Sequence, residues 1–242
     1  MIGNPPWGKT KPPVGYGVDW GDSINDGLEG KWLLNEGAGS TVTDIAGLSH
    51  CAISMPDTSY PVWGRGLFGS GVQGNGALSL PNLVNLGSRA AIKPTASISV
   101  AAWIYFVEFI NDHRAFTDWH QSTLTDRWIL GYVSGTSGTV QWLCTNENEV
   151  SAPSISFSAA AKTWYHMWGT YDGTDSRFYV DGRLIGSASL TGPMNAGSGE
   201  NVILCGQGGD KTSAIVKIDV PEIYSRAVAP SEIMRLYIEP FA

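Results

Sequence analysis

WYHMWGTYDGTDSRFYVDGRLIGSAS, residues 164–189, is three short runs rich in aromatic and β-branched residues, parted by Asp172-Gly173 and Asp181-Gly182. Asp-Gly between such runs is a strong hairpin signal, because both positions tolerate positive φ. Trp164, Tyr165, Trp168, Tyr171, Phe178, Tyr179 and Val180 suit a pleated, half-buried surface. The stretch predicts an antiparallel meander. It carries no catalytic signature, and His166, set among aromatic residues, reads as a framework histidine.

Working outward, the bulk composition agrees with an all-β chain. A chain of 242 residues suits one large sandwich domain, able to bury about 70–75% of its unfolded surface without disulfide staples. Thirty glycines, ten tryptophans and only 15% charged residues fit a turn-rich fold with broad aromatic packing. The net charge of −7 argues against nucleic acid as a partner, since phosphate binding needs clustered Lys and Arg. Cys51, Cys144 and Cys205 cannot all pair within one chain and lack Cys-x-x-Cys spacing, so they read as small buried hydrophobes rather than zinc ligands. Neither a secretory leader nor an apolar run of transmembrane length is visible, so membrane insertion is not expected.

Further strands are expected from the alternation in Ser97–Phe106, from Trp128–Gly131 with Val140–Cys144, and from Asn201–Leu204. Lys217–Ala227 closes the set, and Pro221 inside it implies an edge or a bulge. A short C-terminal helix should begin near Pro230, with Glu232 in its first turn. Asn111–Arg127 reads as a polar loop holding His113, Asp118, Trp119 and His120. Residues 1–27 differ from the rest: four prolines and six glycines surround Trp7, Tyr16 and Trp20. Such a segment should be extended, and its aromatic rings suit docking. The division expected is therefore an N-terminal docking arm over 1–27, with Trp7, Pro12, Pro13, Tyr16 and Trp20 as contact residues, and a β-sandwich over 28–242, which should stay folded without the arm.

Trp164-Tyr165-His166, Thr170-Tyr171-Asp172-Gly173 and Tyr179-Val180-Asp181-Gly182 together resemble the central hairpins of laminin-G-like jelly rolls in the concanavalin A-like superfamily. Gly30–Gly39, with Trp32, Glu36, Gly37 and Gly39, is similar to that family's opening strand, and Ile223-Tyr224-Ser225-Arg226-Ala227 to its closing one. The resemblance spans about Leu28 to Tyr237 and implies a two-sheet antiparallel jelly-roll sandwich. Relatives often hold calcium near a loop whose first half matches Asp44-Ile45-Ala46-Gly47; Leu48, Ser49 and His50 depart from its second half. Calcium is thus the one cofactor the resemblance suggests, with Asp44, Asp219 and carbonyls around Gly47 as its oxygen ligands.

Laminarinase-type enzymes of the superfamily use E-x-D-x-x-E, whose two Glu act as nucleophile and acid/base. Here Lys217-Ile218-Asp219-Val220-Pro221-Glu222 puts lysine in the nucleophile position, so the chain reads as non-enzymatic. Pro12–Gly21 preceding such a domain also resembles segments of tailed-phage virion proteins. That resemblance implies a structural protein on a virion surface, a capsid decoration or a head or tail fibre-type attachment protein, assembled in the host cytoplasm. Its sandwich would face outward, mounted on other virion proteins by the arm; a second copy of the chain and surface glycans are further partners this reading admits. The alternative is a lectin-like glycan-binding module, calcium-dependent in one form, in which Trp119 beside His120 stacks on a sugar ring.

Overall fold

In the computed structural model the meander forms Trp164–Tyr171, Asp175–Val180 and Arg183–Ser189. The structure describes residues 9–47, 49–54, 62–76, 83–109, 113–118, 127–148, 150–196, 201–206 and 214–242. Its two Asp-Gly turns work differently. Asp181 and Gly182 both take positive φ, 50° and 76°, as a two-residue hairpin loop requires. At the other turn only Gly173 does so, at 92°. There Asp172 accepts the backbone N–H groups of Thr174 and Asp175 at 3.0 and 2.8 Å, so its side chain closes the loop.

Two eight-stranded antiparallel sheets stack face to face. The first runs in space through Arg183–Ser189, Asp175–Val180, Trp164–Tyr171, Ile98–Phe106, Val216–Tyr224, Ser70–Gln73 and Trp63–Arg65, with Leu28–Lys31 also on Val216–Tyr224. The second runs through Ile155–Ser158, Thr139–Cys144, Trp128–Ser134, His113–Asp118, Val202–Leu204, Leu83–Gly87, Ser49–Ser54 and Thr41–Asp44. Ile98, Val100, Ala102, Ile104 and Phe106 face the second sheet and build the main core with Phe116, Trp128, Leu130 and Trp142. Trp142 crosses the gap, donating to Ser176 Oγ at 2.7 Å. Its ring lies over Gly169, where a Cβ would come within 2.3 Å of it. Cys51, Cys144 and Cys205 are buried free thiols, and burial pushes Cys144 up to about 12.

Residues 113–118 correct the sequence reading. They form a central, wholly buried strand rather than part of a polar loop. Its polar residues are inside because they are paired. Asp118 is held by Arg127 at 2.6 Å and Lys93 at 3.2 Å, and Arg127, with no exposed surface, spends its other N–H groups on the carbonyls of Lys93, Pro94 and Asn195. The bulge implied by Pro221 lies between Asp219 and Glu222, in a strand flanked on both sides.

The sandwich has a second, smaller apolar layer on the outer face of the first sheet. The C-terminal helix, Pro230–Ile238, lies over it. Glu232 accepts the Ala229 N–H at 2.8 Å and clamps Arg226 through both oxygens. Arg226 in turn donates to the carbonyls of Ile24 and Asp26, tying the end of the N-terminal segment to the helix. No helix among the described residues is long and apolar enough to cross a membrane.

Under this layer His166 stacks on Trp103 at 4.7 Å and accepts the Trp168 indole N–H at 3.1 Å. Burial, with the Lys31 ammonium adding to it, lowers its pKa from 6.5 to about 3. The unfolded chain takes up this proton below about 6.5 and the folded one does not until about 3. The neutral ring therefore contributes stability above that upper value which is lost as pH falls through the window, at about 1.4 kcal/mol per pH unit. His166→Phe should flatten the fall in urea-unfolding stability between about pH 6 and pH 4 by that slope. Loss of the Trp168 partner only offsets the curve, so parallel curves for variant and parent would refute the assignment.

Candidate functional site

Three rows of side chains stand on the outer face of the first sheet. In the first, Ala101, Trp168 and Tyr179 lie side by side and, with Tyr224, are covered by Ile233 and Leu236 of the helix and by Ile24. In the second, Trp103 and Val220 are covered by Phe68, Tyr237 and Phe241. The third row is Trp164, Tyr105 and Lys217, adjacent in register across three strands. It is open, and with Arg65, Gly66 and Leu67 it lines a cleft of about 220 Å³.

The cleft floor is aromatic. Tyr105 and Trp164 are half-buried, their rings 5.4 Å apart and tilted by 51°. The Lys217 ammonium lies 5.4 Å from the centre of the Tyr105 ring, and Arg65 is exposed at the rim. The wall is the turn joining Trp63–Arg65 to Ser70–Gln73, closed by the Gly66 N–H on the Gly69 carbonyl at 2.8 Å. Asp219 holds this turn from below, accepting the N–H groups of Leu67 and Phe68 at 2.9 and 3.0 Å. Gly66 is required there, since a Cβ would come within 2.5 Å of the Asp219 carboxylate.

Asp219 has no exposed surface, and its counter-ion comes from the N-terminal segment: Lys11 Nζ lies 2.5 Å from Oδ1. Lys11 also donates to the carbonyls of Leu34 and Ser70. Burial pushes the Asp219 carboxyl above its ordinary range while Lys11 pulls it back; burial likewise lowers Lys11 while Asp219 opposes. Asp44, equally buried, accepts the N–H groups of Lys31 and Ala46 at 3.0 Å each and pairs with Arg89. The Arg89 guanidinium covers Gly47 so closely that a Cβ there would overlap it. Each carboxylate is thus neutralised by its own side-chain cation, and the pair does not fit a shared calcium shell. Among the described residues no group of three or more His, Cys, Asp or Glu is placed to hold a metal.

In the arm, Pro12 accepts the Asn35 side-chain amide at 2.8 Å and Pro13 the Tyr16 N–H at 3.1 Å. Tyr16 and Trp20 remain 46% and 58% exposed. Lys11, Ile24 and Asn25 are instead seated on the sandwich, so part of the segment before residue 28 packs with it. Trp7, Trp119 and His120 lie outside the described residues. Sequence reasoning passed over Tyr105, Trp164 and Lys217 as site residues. Alternation places each outward, but whether an outward row is roofed is decided by residues far away in sequence.

Residues 73–234, about two thirds of the chain, match the family model described as the concanavalin A-like lectin/glucanases superfamily. No curated protein matches the chain in sequence. Among solved structures it is similar to the binding domain of Paraclostridial mosquitocidal protein 1, with TM-score 0.68 and 15% identity over 88% of this chain and 52% of that one. It is similar also to the receptor-binding domain of botulinum neurotoxin D, with TM-score 0.64 and 16% identity over 90% and 54%. A third is domain 4 of AbnA, an extracellular GH43 arabinanase of Geobacillus stearothermophilus solved with arabinotriose, with TM-score 0.65 and 16% identity over 87% and 98%. The chain spans about half the length of the two toxin domains and nearly all of the arabinanase domain. At these identities the likeness is one of fold.

Removing the Lys11 cation leaves Asp219 buried without a counter-ion, a change that typically costs about 3–5 kcal/mol. Lys11→Met should therefore lower unfolding free energy by that order, as should truncation past residue 11, while Lys9→Met at an exposed position should change it by less than about 0.5 kcal/mol. Equal denaturation midpoints for both variants would show that Lys11 does not hold Asp219.

Proposed function

The chain belongs to the concanavalin A-like lectin/glucanases superfamily, and we propose that within it the protein is a non-catalytic module that binds glycan in the cleft of Tyr105, Trp164 and Lys217. One observation carries this reading: among the described residues, a face whose other two rows are roofed leaves the row of Tyr105 and Trp164 half-open to solvent, in a concavity the size of a sugar ring or two. Pyranose rings present apolar C–H faces that pack on such side chains, with polar neighbours fixing their orientation. The crystallised complex of the arabinanase domain with arabinotriose supports a saccharide ligand for this architecture.

The pairing of Asp219 and Glu222 with lysines supports binding without hydrolysis. Glycoside hydrolysis by retaining enzymes needs two carboxyl groups about 5 Å apart across the scissile bond. The carboxylates at the corresponding strand positions, Asp219 and Glu222, are bound to Lys11 at 2.5 Å and Lys31 at 3.0 Å and are split by the bulge. Among the described residues no carboxylate lines the cleft itself.

Mounting on a virion surface is the second reading. Val14, Tyr16 and Trp20, 66%, 46% and 58% exposed on the N-terminal segment, favour it because they offer apolar surface for a partner. Under that reading Tyr16→Ser with Trp20→Ser abolishes particle association while leaving glycan binding intact.

The glycan reading is tested by titrating a panel of immobilised oligosaccharides with the multimerised protein, since weak single sites need multivalency to register. Trp164→Ala and Tyr105→Leu should each weaken the bound glycan about tenfold, the loss of one ring contact of ~1.4 kcal/mol. Unfolding curves confirm that each variant is folded. No binding anywhere on the panel, or binding indifferent to both substitutions, would defeat the proposal.

A further inference from the structure

Resting on that reading of the cleft, we infer that its glycan is acidic: a sugar stacked on Tyr105 and Trp164 that presents a carboxylate or sulfate to Arg65 and Lys217. Charge pairing along a single strand points to it. On Val216–Tyr224, Asp219 is met by Lys11 and Glu222 by Lys31. Elsewhere Asp44 is met by Arg89, Asp118 by Lys93 and Arg127, Asp172 and Asp175 by Arg177, Glu232 by Arg226, and Asp22 by Arg235. Lys217, the remaining charge on that strand, has no carboxylate within ion-pair distance among the described residues; its neighbour is the Tyr105 ring.

Arg65 is unpaired in the same sense, and both line one cleft. In a chain of net charge −7, two cations without an anion share a concavity floored by aromatic rings. Like charges repel, and low-dielectric walls focus their field toward the solvent that fills the cleft. A neutral sugar would leave that repulsion in place. An anion relieves it, and the two cations are of complementary kinds: the guanidinium offers a planar fork that matches a carboxylate, and the ammonium a point charge. The ring beside them is placed for the sugar that carries the anion. Two cations are too few for a polyphosphate chain, whose binding rests on many neutralised phosphates.

The experiment is calorimetric titration of the full chain with four probes of one length: a hexuronate trisaccharide, its methyl ester, a sulfated hexose trisaccharide and the unmodified neutral one. An acidic probe should bind at least about tenfold more tightly than its neutral counterpart, and this margin should shrink when salt is raised from about 0.05 to about 0.5 M. Arg65→Gln and Lys217→Gln should each weaken the acidic probe at least about tenfold, the scale of a lost charge-assisted hydrogen bond. Both should bring the ratio of acidic to neutral affinity down toward one. The stronger of the carboxylate and sulfate arms identifies the group. Equal binding of acidic and neutral probes overturns this inference while leaving the glycan reading intact. If no probe binds, both fall. An acidic probe still bound by Trp164→Ala, or matched by inorganic polyphosphate, would mean that charge alone is being read and would also overturn it. Arg65 is exposed, where substitutions usually change stability by less than about 0.5 kcal/mol, and an unfolding curve of Arg65→Gln separates loss of binding from loss of folding.

Discussion

A carboxylate with no exposed surface, Asp219, sits where three parts of the molecule meet. Taking a charge out of water costs several kcal/mol unless the site supplies a counter-ion and hydrogen bonds. Here the counter-ion comes from Lys11, 208 positions away in the chain, and the hydrogen bonds come from the turn after Arg65. The bulge beside Asp219 puts Val220 at φ 44°, a left-handed conformation that a β-branched residue adopts only where its surroundings hold it there. The N-terminal segment, the cleft wall and the bulged strand are thereby coupled through one side chain. Relaxing any one of them exposes the cost of the other two.

The same requirement explains why Asp44 and Asp219 do not fit a shared calcium shell. Buried acids here are answered by lysine and arginine rather than by a divalent ion: Asp44 by Arg89, Asp118 by Arg127, Glu222 by Lys31. Side-chain cations bring covalent connection with them. Arg89 reaches from the segment after the strand Leu83–Gly87 to Asp44 and the Glu29 carbonyl, and Arg127 reaches three carbonyls besides Asp118. Each such cation therefore fixes loops as well as neutralising charge. A calcium ion on the same acids would need further oxygen ligands from loops that these cations already occupy.

How much of this could be read from the sequence follows from the range of the forces involved. The meander was legible because Asp181-Gly182 and Gly173 impose their turns locally, and the helix because Pro230 and Glu232 mark its start. His113–Asp118 was not legible, since its polar composition signals a loop unless Arg127 and Lys93 are known to arrive beside it. Lys11 was likewise hidden: a lysine between threonine and proline carries no sign that a buried carboxylate awaits it. As for the cleft, Trp164 and Tyr105 were plainly strand residues. Their exposure depends on where a helix more than seventy positions later in the sequence stops.

That stopping point is itself a matter of lengths. The helix has nine residues, about 13–14 Å at 1.5 Å per residue. Successive outward rows on a strand are separated by about 7 Å, two residues of rise. The helix advances over the sheet from the row of Trp168, covered by Ile233 and Leu236, to the row of Trp103, covered by Tyr237. Two rows are what such a length spans. Glu239 ends it with backbone angles of −125° and 72°, outside the helical range, and the third row is left to solvent. The surface that can stack a ligand is thus the remainder left when a short helix roofs a longer sheet, and its chemistry is set by what that last row carries: two rings, a lysine held across the strands, and an arginine at the lip.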